Sequence, residues 1–327
     1  MPLNNKIIKN ILVVRNDRFG EFLLNIPAMR ALKESFPNAR ITAITDPYVK
    51  NLASCIPFID EIIPWGSKPH AFRECLGLAL SLYKKHFDLA VILNPTREMH
   101  WITALAGIPV RTGYNRKWGF LLTRRMEDKK HLGQKHEIEY NLELVGLAGA
   151  KTANIDLSLN INDDIIREAD KILGIPAGQT IVAVHPWTSD PVKQWPTANF
   201  LELAEKLAAD PHLKVIIIGG KEEAARSAAL FKNTQSPIID ITGRTSLPQL
   251  AAVLKRCALL ISCDSGPVHL AGASGTRVLA IFRNDLPGKT ASRWGPSGKN
   301  AFVVEKNSLE NITVDEILNK ARKALSA

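Results

Sequence analysis

The sequence alternates short apolar runs with amphipathic stretches, and this alternation restricts the chain to a few folds. The apolar run at 9–14 has the length and the Ile and Val content of a strand, and a helical spacing over 22–36 and a second strand over 37–46 follow it. Together these elements form a βαβ unit. Because the strands are apolar on both faces, helices must cover both sides of the sheet. The chain is therefore predicted to be an α/β protein with doubly wound parallel sheets.

The alternation occurs twice along the chain. A second set begins with a strand at 180–186 and ends with one at 277–282. At 327 residues the chain exceeds what one core usually spans, about 250–300 residues. Between the two sets, 146–164 is rich in small and polar residues, which predicts a linker. We therefore predict two Rossmann-like domains, 1–156 and 157–327, that face each other across a cleft lined by the carboxyl ends of their strands.

Composition and patterning narrow the class of protein further. No apolar stretch approaches the roughly 18 residues of a membrane-spanning helix, and the N-terminal apolar run is too short for a secretory signal. The four cysteines form no CxxC pair, which predicts free thiols and argues against a metal site. A cytoplasmic protein is expected. The amphipathic stretch 313–326 predicts a last helix that packs in the second domain or back on the first.

The net charge of +10 is concentrated in residues 1–150, which hold 21 basic and 14 acidic residues. Within this half, 111–135 interleaves basic residues with Trp118, Phe120 and Leu122. Such a mixture suits a membrane surface or an amphiphile with acidic head groups. A solvated basic loop with a few apolar residues packed inward explains the pattern equally well. No nucleic-acid-binding motif accompanies the charge, so nucleic acid is not an expected partner.

The polar segment between the last two central strands is a candidate anion site. Asp264 ends a strand, Ser265 and Gly266 lead into a helix, and His269 lies in its first turn. Ser265 is predicted to be the N-cap residue. Backbone N–H groups at a helix start have no helical partner and carry the positive end of the helix dipole, so they bind phosphate or diphosphate well. A plain turn without function would show the same residues.

No dinucleotide-binding G-x-G-x-x-G motif follows either first strand, and no P-loop motif occurs. The loop 185–196 instead offers the hydroxyls of Thr188 and Ser189 and the ammonium group of Lys193. Lys193 is predicted to lie at the same sheet edge as Asp264, where it could neutralise a departing diphosphate. The alternative is a solvated lysine without a role in binding, which is the usual state of a lone lysine on a loop.

The corresponding loop of the first domain carries Arg15, Asp17, Arg18 and Glu21. Glu21 follows Gly20 near a helix start and is a candidate general base for a hydroxyl group. An acidic residue in the first turn of a helix is equally favoured for structural reasons alone.

Three segments, in this order, resemble glycosyltransferase family 9, the heptosyltransferases of the lipopolysaccharide inner core. Residues 11–41 resemble its opening strand, S-S-x-G-D loop and L-P-A-x-R-A-L helix, 185–207 its H-P…K-x-W-P block, and 245–282 its D-[ST]-G-P-x-H-L-A-A-A-x-G block. The resemblance covers nearly the whole chain. It implies a GT-B fold and metal-independent, inverting transfer of a heptose from ADP-heptose to a lipid-linked, anionic saccharide at the inner face of the inner membrane.

The same resemblance implies roles for single residues. Glu21 falls on the family's catalytic Asp, and Lys193 falls on its donor-site Lys. Asp264, Ser265 and Gly266 fall on its phosphate loop. Thr188, Glu222 and Thr245 fall near family positions that contact the donor.

Two segments depart from the family pattern. Residues 17–21 read DRFGE, so both serines are lost and the acid is one methylene longer; residues 282–289 read FRNDLPGK where the family has G-x-T-x-P. The departures leave two alternatives open. One is transfer of another nucleotide-linked sugar to a capsule or glycan acceptor, and the other is a nucleotide-sugar-binding protein that has lost catalysis.

Overall fold

The computed structural model describes residues 8–326. The chain divides into two compact units, of which the first ends at Leu157 and the second begins at Ser158. The predicted boundary lies one residue earlier, after 156. Each unit contains a six-stranded sheet in which every neighbouring pair of strands is parallel. The predicted class, two α/β domains with parallel sheets, is confirmed.

In the first unit the strands lie in the order β3-β2-β1-β4-β5-β6. The order reverses between β1 and β4, and ligand-binding loops of such sheets lie beyond the carboxyl ends of the strands at this point. The loop that begins at Arg15 directly follows β1 and occupies this position. The strands are β1 (Asn10–Val14), β2 (Arg40–Thr45), β3 (Glu61–Pro64), β4 (Leu89–Ile92), β5 (Val110–Tyr114) and β6 (Arg124–Met126), and the helices are α1 (Phe19–Leu23), α2 (Ile26–Ser35), α3 (Lys50–Ala53), α4 (Phe72–Lys84), α5 (Arg97–Leu105) and α6 (Glu137–Gly146).

The second unit repeats this topology, in the order β12-β11-β10-β7-β8-β9. Its switch point lies between β7 and β10, so the loops that begin at Pro186 and Asp264 share one edge. The strands are β7 (Thr180–His185), β8 (Leu213–Ile217), β9 (Ile238–Asp240), β10 (Leu259–Cys263), β11 (Arg277–Arg283) and β12 (Ala301–Lys306), and the helices are α7 (Asp163–Leu173), α8 (Thr197–Ala208), α9 (Ala224–Leu230), α10 (Leu247–Arg256), α11 (Gly266–Ala273), α12 (Ala291–Trp294) and α13 (Val314–Ser326).

The loop between β7 and α8 is anchored by Trp195, whose side chain is fully buried in the core of the second unit. Its indole N–H donates to the carbonyl of Ile312 at 2.9 Å, and its ring packs edge-on against Phe200 with the centroids 4.9 Å apart. A buried aromatic ring with a satisfied donor holds its backbone firmly. Trp195 therefore fixes the end of the loop that carries Lys193.

The last helix, α13, packs within the second unit. Its residues Ile317 and Ala321 are fully buried in the core of that unit, and the helix contacts α8. Of the two placements left open by the sequence, the structure therefore takes the one in the second domain.

The state of the cysteines agrees with the prediction from the sequence. All four cysteines are buried and free, as predicted: Cys55, Cys75, Cys257 and Cys263. Within residues 8–326 no helix has the length and apolar character needed to cross a bilayer.

Candidate active site

The loops after β7 and β10 meet at an ion pair. Lys193 Nζ lies 2.6 Å from Asp264 Oδ2, and the two side chains are only 17% and 9% exposed. Lys193 ends a short 3₁₀ turn, Pro191–Lys193, and Asp190 caps this turn by accepting the N–H of Val192 at 3.3 Å. The structure thus brings together two predicted donor-site residues that lie far apart in the sequence.

The start of α11 lies directly beside this pair, and its N-cap residue is the predicted Ser265. Ser265 occupies the N-cap position, but its side chain makes no capping hydrogen bond. Its hydroxyl lies 2.9 Å from Ser262 Oγ and 3.3 Å from His185 Nδ1. The prediction that Ser265 is the N-cap residue is therefore confirmed, but its side chain does not cap, because two buried neighbours compete for the hydroxyl. The backbone donors of the first turn are left without a side-chain cap, which suits an anionic ligand.

His185 completes this buried group. Its Nδ1 lies 3.0 Å from Ser262 Oγ, and complete burial lowers the pKa of the imidazole to about 3. A neutral imidazole can accept from one hydroxyl, and it carries no charge that would alter the anion site. His269, which was predicted to face the same ligand, is 4% exposed in the first turn of α11.

Acid is expected to destabilise the protein through His185. Its pKa is depressed to about 3 in the folded state, whereas an unfolded histidine titrates near 6.5. The neutral form therefore stabilises the fold above about pH 6.5, and this stability is lost as the pH falls towards 3, by about 1.4 kcal/mol per pH unit. Chemical denaturation of the wild type and of His185→Asn between about pH 4.5 and 7 measures how the free energy of unfolding changes with pH.

The variant keeps a polar side chain but loses the titrating group, so its free energy of unfolding should fall less steeply with acid. The exposed His212 provides the control, since His212→Asn should leave the slope unchanged. Equal slopes in the wild type and in His185→Asn would show that another group causes the acid sensitivity.

In the first unit, the predicted acceptor-side residues form a buried charged group at the end of β1. Arg15 is 4% exposed, and its Nε donates to Asp17 Oδ1 at 2.7 Å. Its Nη1 lies 3.7 Å from Glu137 Oε1 and donates to the carbonyl of Leu93 at 3.4 Å. Arg18 is exposed and begins α1. Arg15 and Asp17 are thus brought together, whereas Arg18 lies outside the group.

Glu21 lies in the first turn of α1 and is partly buried. Burial raises the pKa of its carboxyl group, the negative charge of Asp17 raises it further, and Arg15 opposes the shift. A carboxylate with a raised pKa is a stronger base than an ordinary one and is suited to accepting a proton from a hydroxyl group.

Comparison with known proteins identifies the chain. The model of glycosyltransferase family 9 (heptosyltransferase) matches residues 76–321. The chain belongs to glycosyltransferase family 9. It is therefore a glycosyltransferase, as the three sequence blocks predicted.

Individual relatives agree with this family. The lipopolysaccharide heptosyltransferase 2 of Salmonella typhimurium is 26% identical over 292 residues, which are 85% of this chain and 83% of that protein. A family 9 glycosyltransferase from Veillonella parvula has the same fold, with a TM-score of 0.86 and 21% identity over 100% of this chain and 99% of that one. The structure of the ADP-heptose lipopolysaccharide heptosyltransferase II of E. coli is also similar, with a TM-score of 0.84 and 21% sequence identity. The match covers 97% of this chain and 98% of that one.

The remaining donor-site residues of this family 9 protein are less engaged. Thr188 is half-buried, and its hydroxyl accepts from the N–H of Asp190 at 3.3 Å. Thr245 is half-buried, whereas Ser189 and Glu222 are exposed. Their roles at the donor stay predictions.

Sequence reasoning missed two basic residues that hold the Lys193 loop. Arg283 Nη1 donates to the carbonyl of Val192 at 3.0 Å, and Lys289 Nζ donates to Asp190 Oδ2 at 2.9 Å. The hydrogen bond from Lys289 lowers the pKa of Asp190. Both basic residues lie in the segment that departs from the family pattern. Their position at and just after the carboxyl end of β11, in the same sheet, was the available signal.

A glycine pair after β8 was also missed. A Cβ atom on Gly219 would lie 2.8 Å from Trp187 Cδ1, and one on Gly220 would lie 2.6 Å from Glu222 Oε1. Trp187 is buried, its indole Nε1 has no hydrogen-bond partner in the described part of the chain, and the guanidinium of Arg226 lies 5.1 Å from its ring centroid. The close packing requires glycine at Gly219, which meets the buried Trp187 ring, whereas the exposed Glu222 carboxylate beside Gly220 can move aside.

The segment 111–135 is partly packed inward and partly exposed, and its contact with a membrane or an amphiphile stays a prediction. Leu122 is 7% exposed, so part of the segment packs inward. Trp118 and Phe120 are 45% and 68% exposed. Lys130 is buried and contacts Glu137, the partner of Arg15.

The described residues contain no cluster of three or more His, Cys, Asp or Glu side chains that could hold a metal ion.

Proposed function

We propose that the protein is an inverting, metal-independent heptosyltransferase that moves a heptose from ADP-heptose to an acceptor of the lipopolysaccharide inner core. The observation that carries this proposal is the ion pair of Lys193 and Asp264 beside the uncapped start of α11. The names of the Salmonella and E. coli relatives, a lipopolysaccharide heptosyltransferase and an ADP-heptose enzyme, support the choice of donor and acceptor.

The donor diphosphate binds at the helix start. The N–H groups around Gly266 and the dipole of α11 attract the phosphate oxygens. Lys193 contacts the same phosphates and stabilises the negative charge that ADP gains as the glycosidic bond breaks. Asp264 orients the ammonium group by holding it at 2.6 Å.

Glu21 removes the proton from the acceptor hydroxyl. The freed oxygen attacks the anomeric carbon of the heptose from the face opposite to ADP, so the configuration at this carbon is inverted. Arg15 and Asp17 fix the electrostatic environment of the base, since both act on the pKa of Glu21. Trp118, Phe120 and the basic residues of 111–135 meet the lipid-linked acceptor at the inner face of the inner membrane, where the protein is a peripheral component of the cytoplasmic side.

Isothermal titration with ADP, UDP and GDP, in buffer containing EDTA, tests the donor. We expect ADP to bind at least about tenfold more tightly than the other two, which corresponds to roughly 1.4 kcal/mol. Transfer from ADP-heptose to a heptose-deficient core saccharide is then measured by ADP release. Preference for UDP or GDP would overturn the heptose assignment and favour the transfer of another sugar to a capsule or glycan acceptor.

The longer acid at position 21 is the observation that favours a protein that has lost catalysis. Glu21→Asp restores the family residue and separates the cases. A rise in turnover shows an enzyme weakened by an extra methylene group, since a displacement of about 1 Å can cost about a hundredfold in rate. ADP binding with no turnover in either protein shows a binding protein.

A further inference from the structure

One flank of α4 is apolar although it is exposed. Beside the core-facing residues Cys75, Leu78, Ala79 and Leu82, a second row of apolar side chains recurs every three to four residues along this helix, whereas Arg73, Gly77 and Lys84 lie opposite the core. A surface helix normally presents polar residues on such an exposed flank. The exposed apolar residues of α4 are Phe72 (71%), Leu76 (36%), Leu80 (54%) and Tyr83 (58%).

The neighbouring elements extend this surface. Phe72 stacks on Trp101 of α5 with ring centroids 5.9 Å apart, and Leu105, one turn further along α5, is 54% exposed. The loop after β5 is tied to α5 because His100 Nδ1 lies 2.7 Å from the carbonyl of Lys117. This loop carries Trp118 and Phe120. We call the surface formed by Phe72, Leu76, Leu80, Tyr83, Leu105, Trp118 and Phe120 the aromatic face.

Basic residues surround the aromatic face. Arg73 and Lys84 lie on α4, Arg97 begins α5, and Lys117 precedes Trp118; all four are exposed. None of the four forms an ion pair with any residue from 8 to 326 in the structure.

The acidic residues of the two helices are engaged elsewhere. Glu74 accepts the N–H of Ala71 at 2.7 Å, and Glu98 accepts the indole N–H of Trp65 at 2.8 Å. The face is therefore both apolar and positively charged.

We propose that the aromatic face docks on the surface of a bilayer that contains anionic lipids. Aromatic side chains partition to the boundary between head groups and acyl chains, and Lys and Arg residues at the rim contact anionic head groups. A second copy of the chain fits less well, because it would bring like charges together. The inference rests on the proposed function in that the acceptor is lipid-linked, and it assigns most of the membrane contact to α4 and α5.

Co-sedimentation with vesicles tests the proposal. The wild type should bind vesicles of phosphatidylglycerol and phosphatidylcholine, and bind vesicles of phosphatidylcholine alone much more weakly. Each basic residue near an anionic surface contributes a factor of about 5, so Arg73→Gln with Lys84→Gln should lower the partition coefficient about 25-fold. Lys232→Gln with Lys255→Gln removes the same charge from exposed positions of the second unit and should have little effect.

An apolar substitution gives an independent test. Leu80→Ser should lower the partition coefficient about fivefold, because the side chain no longer enters the boundary region. Ile155→Ser is the matched control, since Ile155 is 50% exposed and Leu80 is 54% exposed. The proposal would be overturned if Arg73→Gln/Lys84→Gln and Leu80→Ser partitioned to vesicles as strongly as the wild type. No binding of the wild type to anionic vesicles would overturn it as well. So would a dimer of the wild type that Leu80→Ser dissociates.

ADP titration and transfer to a delipidated core saccharide are measured on the same proteins. If both succeed while vesicle binding fails, only the docking face is wrong. If vesicle binding behaves as described while ADP binding and transfer fail, the proposed function is wrong and the docking face stands.

Discussion

Glu21→Gln is expected to lower kcat for heptosyl transfer by about 10²- to 10⁴-fold, the usual contribution of a general base. Glutamine keeps the size of the side chain and its place in the first turn of α1, but it cannot accept the proton. ADP affinity should be unchanged, because Glu21 lies in the first unit and the proposed diphosphate site in the second. Steady-state kinetics and titration with ADP measure the two effects separately. Full transferase activity of Glu21→Gln would remove Glu21 from the mechanism.

The pH profile distinguishes Glu21 from Asp17. If Glu21 is the base, kcat falls with acid through its pKa, which burial and the charge of Asp17 raise above the ordinary value. Asp17→Asn removes the neighbouring negative charge and lowers the pKa of Glu21, so the acid limb should move to lower pH while activity at neutral pH is largely retained. A loss in Asp17→Asn as large as that expected for Glu21→Gln, with no move of the limb, would assign the base to Asp17 instead.

The fold follows largely from local patterns in the sequence. Apolar runs of strand length that alternate with helical spacings predict parallel sheets, because such runs must be covered on both faces. The rule that parallel strands place their carboxyl ends at one edge also predicts that Lys193 and Asp264 approach each other. Their ion pair agrees with that prediction.

The details that the sequence could not supply depend on contacts between distant residues. Ser265 has the residue type and position of an N-cap, yet Ser262 and His185 compete for its hydroxyl. Local propensity does not include such competitors. Likewise, helical periodicity predicts α4 but not that part of its apolar surface stays uncovered, since coverage depends on where neighbouring elements lie.

Lys193→Met is expected to lower kcat by about 10²- to 10³-fold, because the negative charge that develops on ADP loses its positively charged partner. The same change removes the ammonium group that faces the carboxylate of Asp264, which is 9% exposed. Breaking a buried pair by removing one member costs about 3–5 kcal/mol of stability. Lys193 is itself 17% exposed, so the lower part of this range is expected. Thermal unfolding and steady-state kinetics measure the two losses.

The double variant Lys193→Met/Asp264→Asn separates catalysis from stability. Because the double variant also removes the charge that Lys193 faced, the free energy of unfolding should recover by at least about 1–2 kcal/mol, since a neutral amide costs less to bury than a carboxylate. Turnover should stay low, since no ammonium group faces the diphosphate. Lys206→Met is the control and should lower neither quantity much, because Lys206 is 39% exposed and pairs with Asp315 on α13 rather than with the Lys193 loop. Recovery of turnover together with stability would mean that Lys193 acts only through the fold, and the leaving diphosphate would then depend on the start of α11 alone.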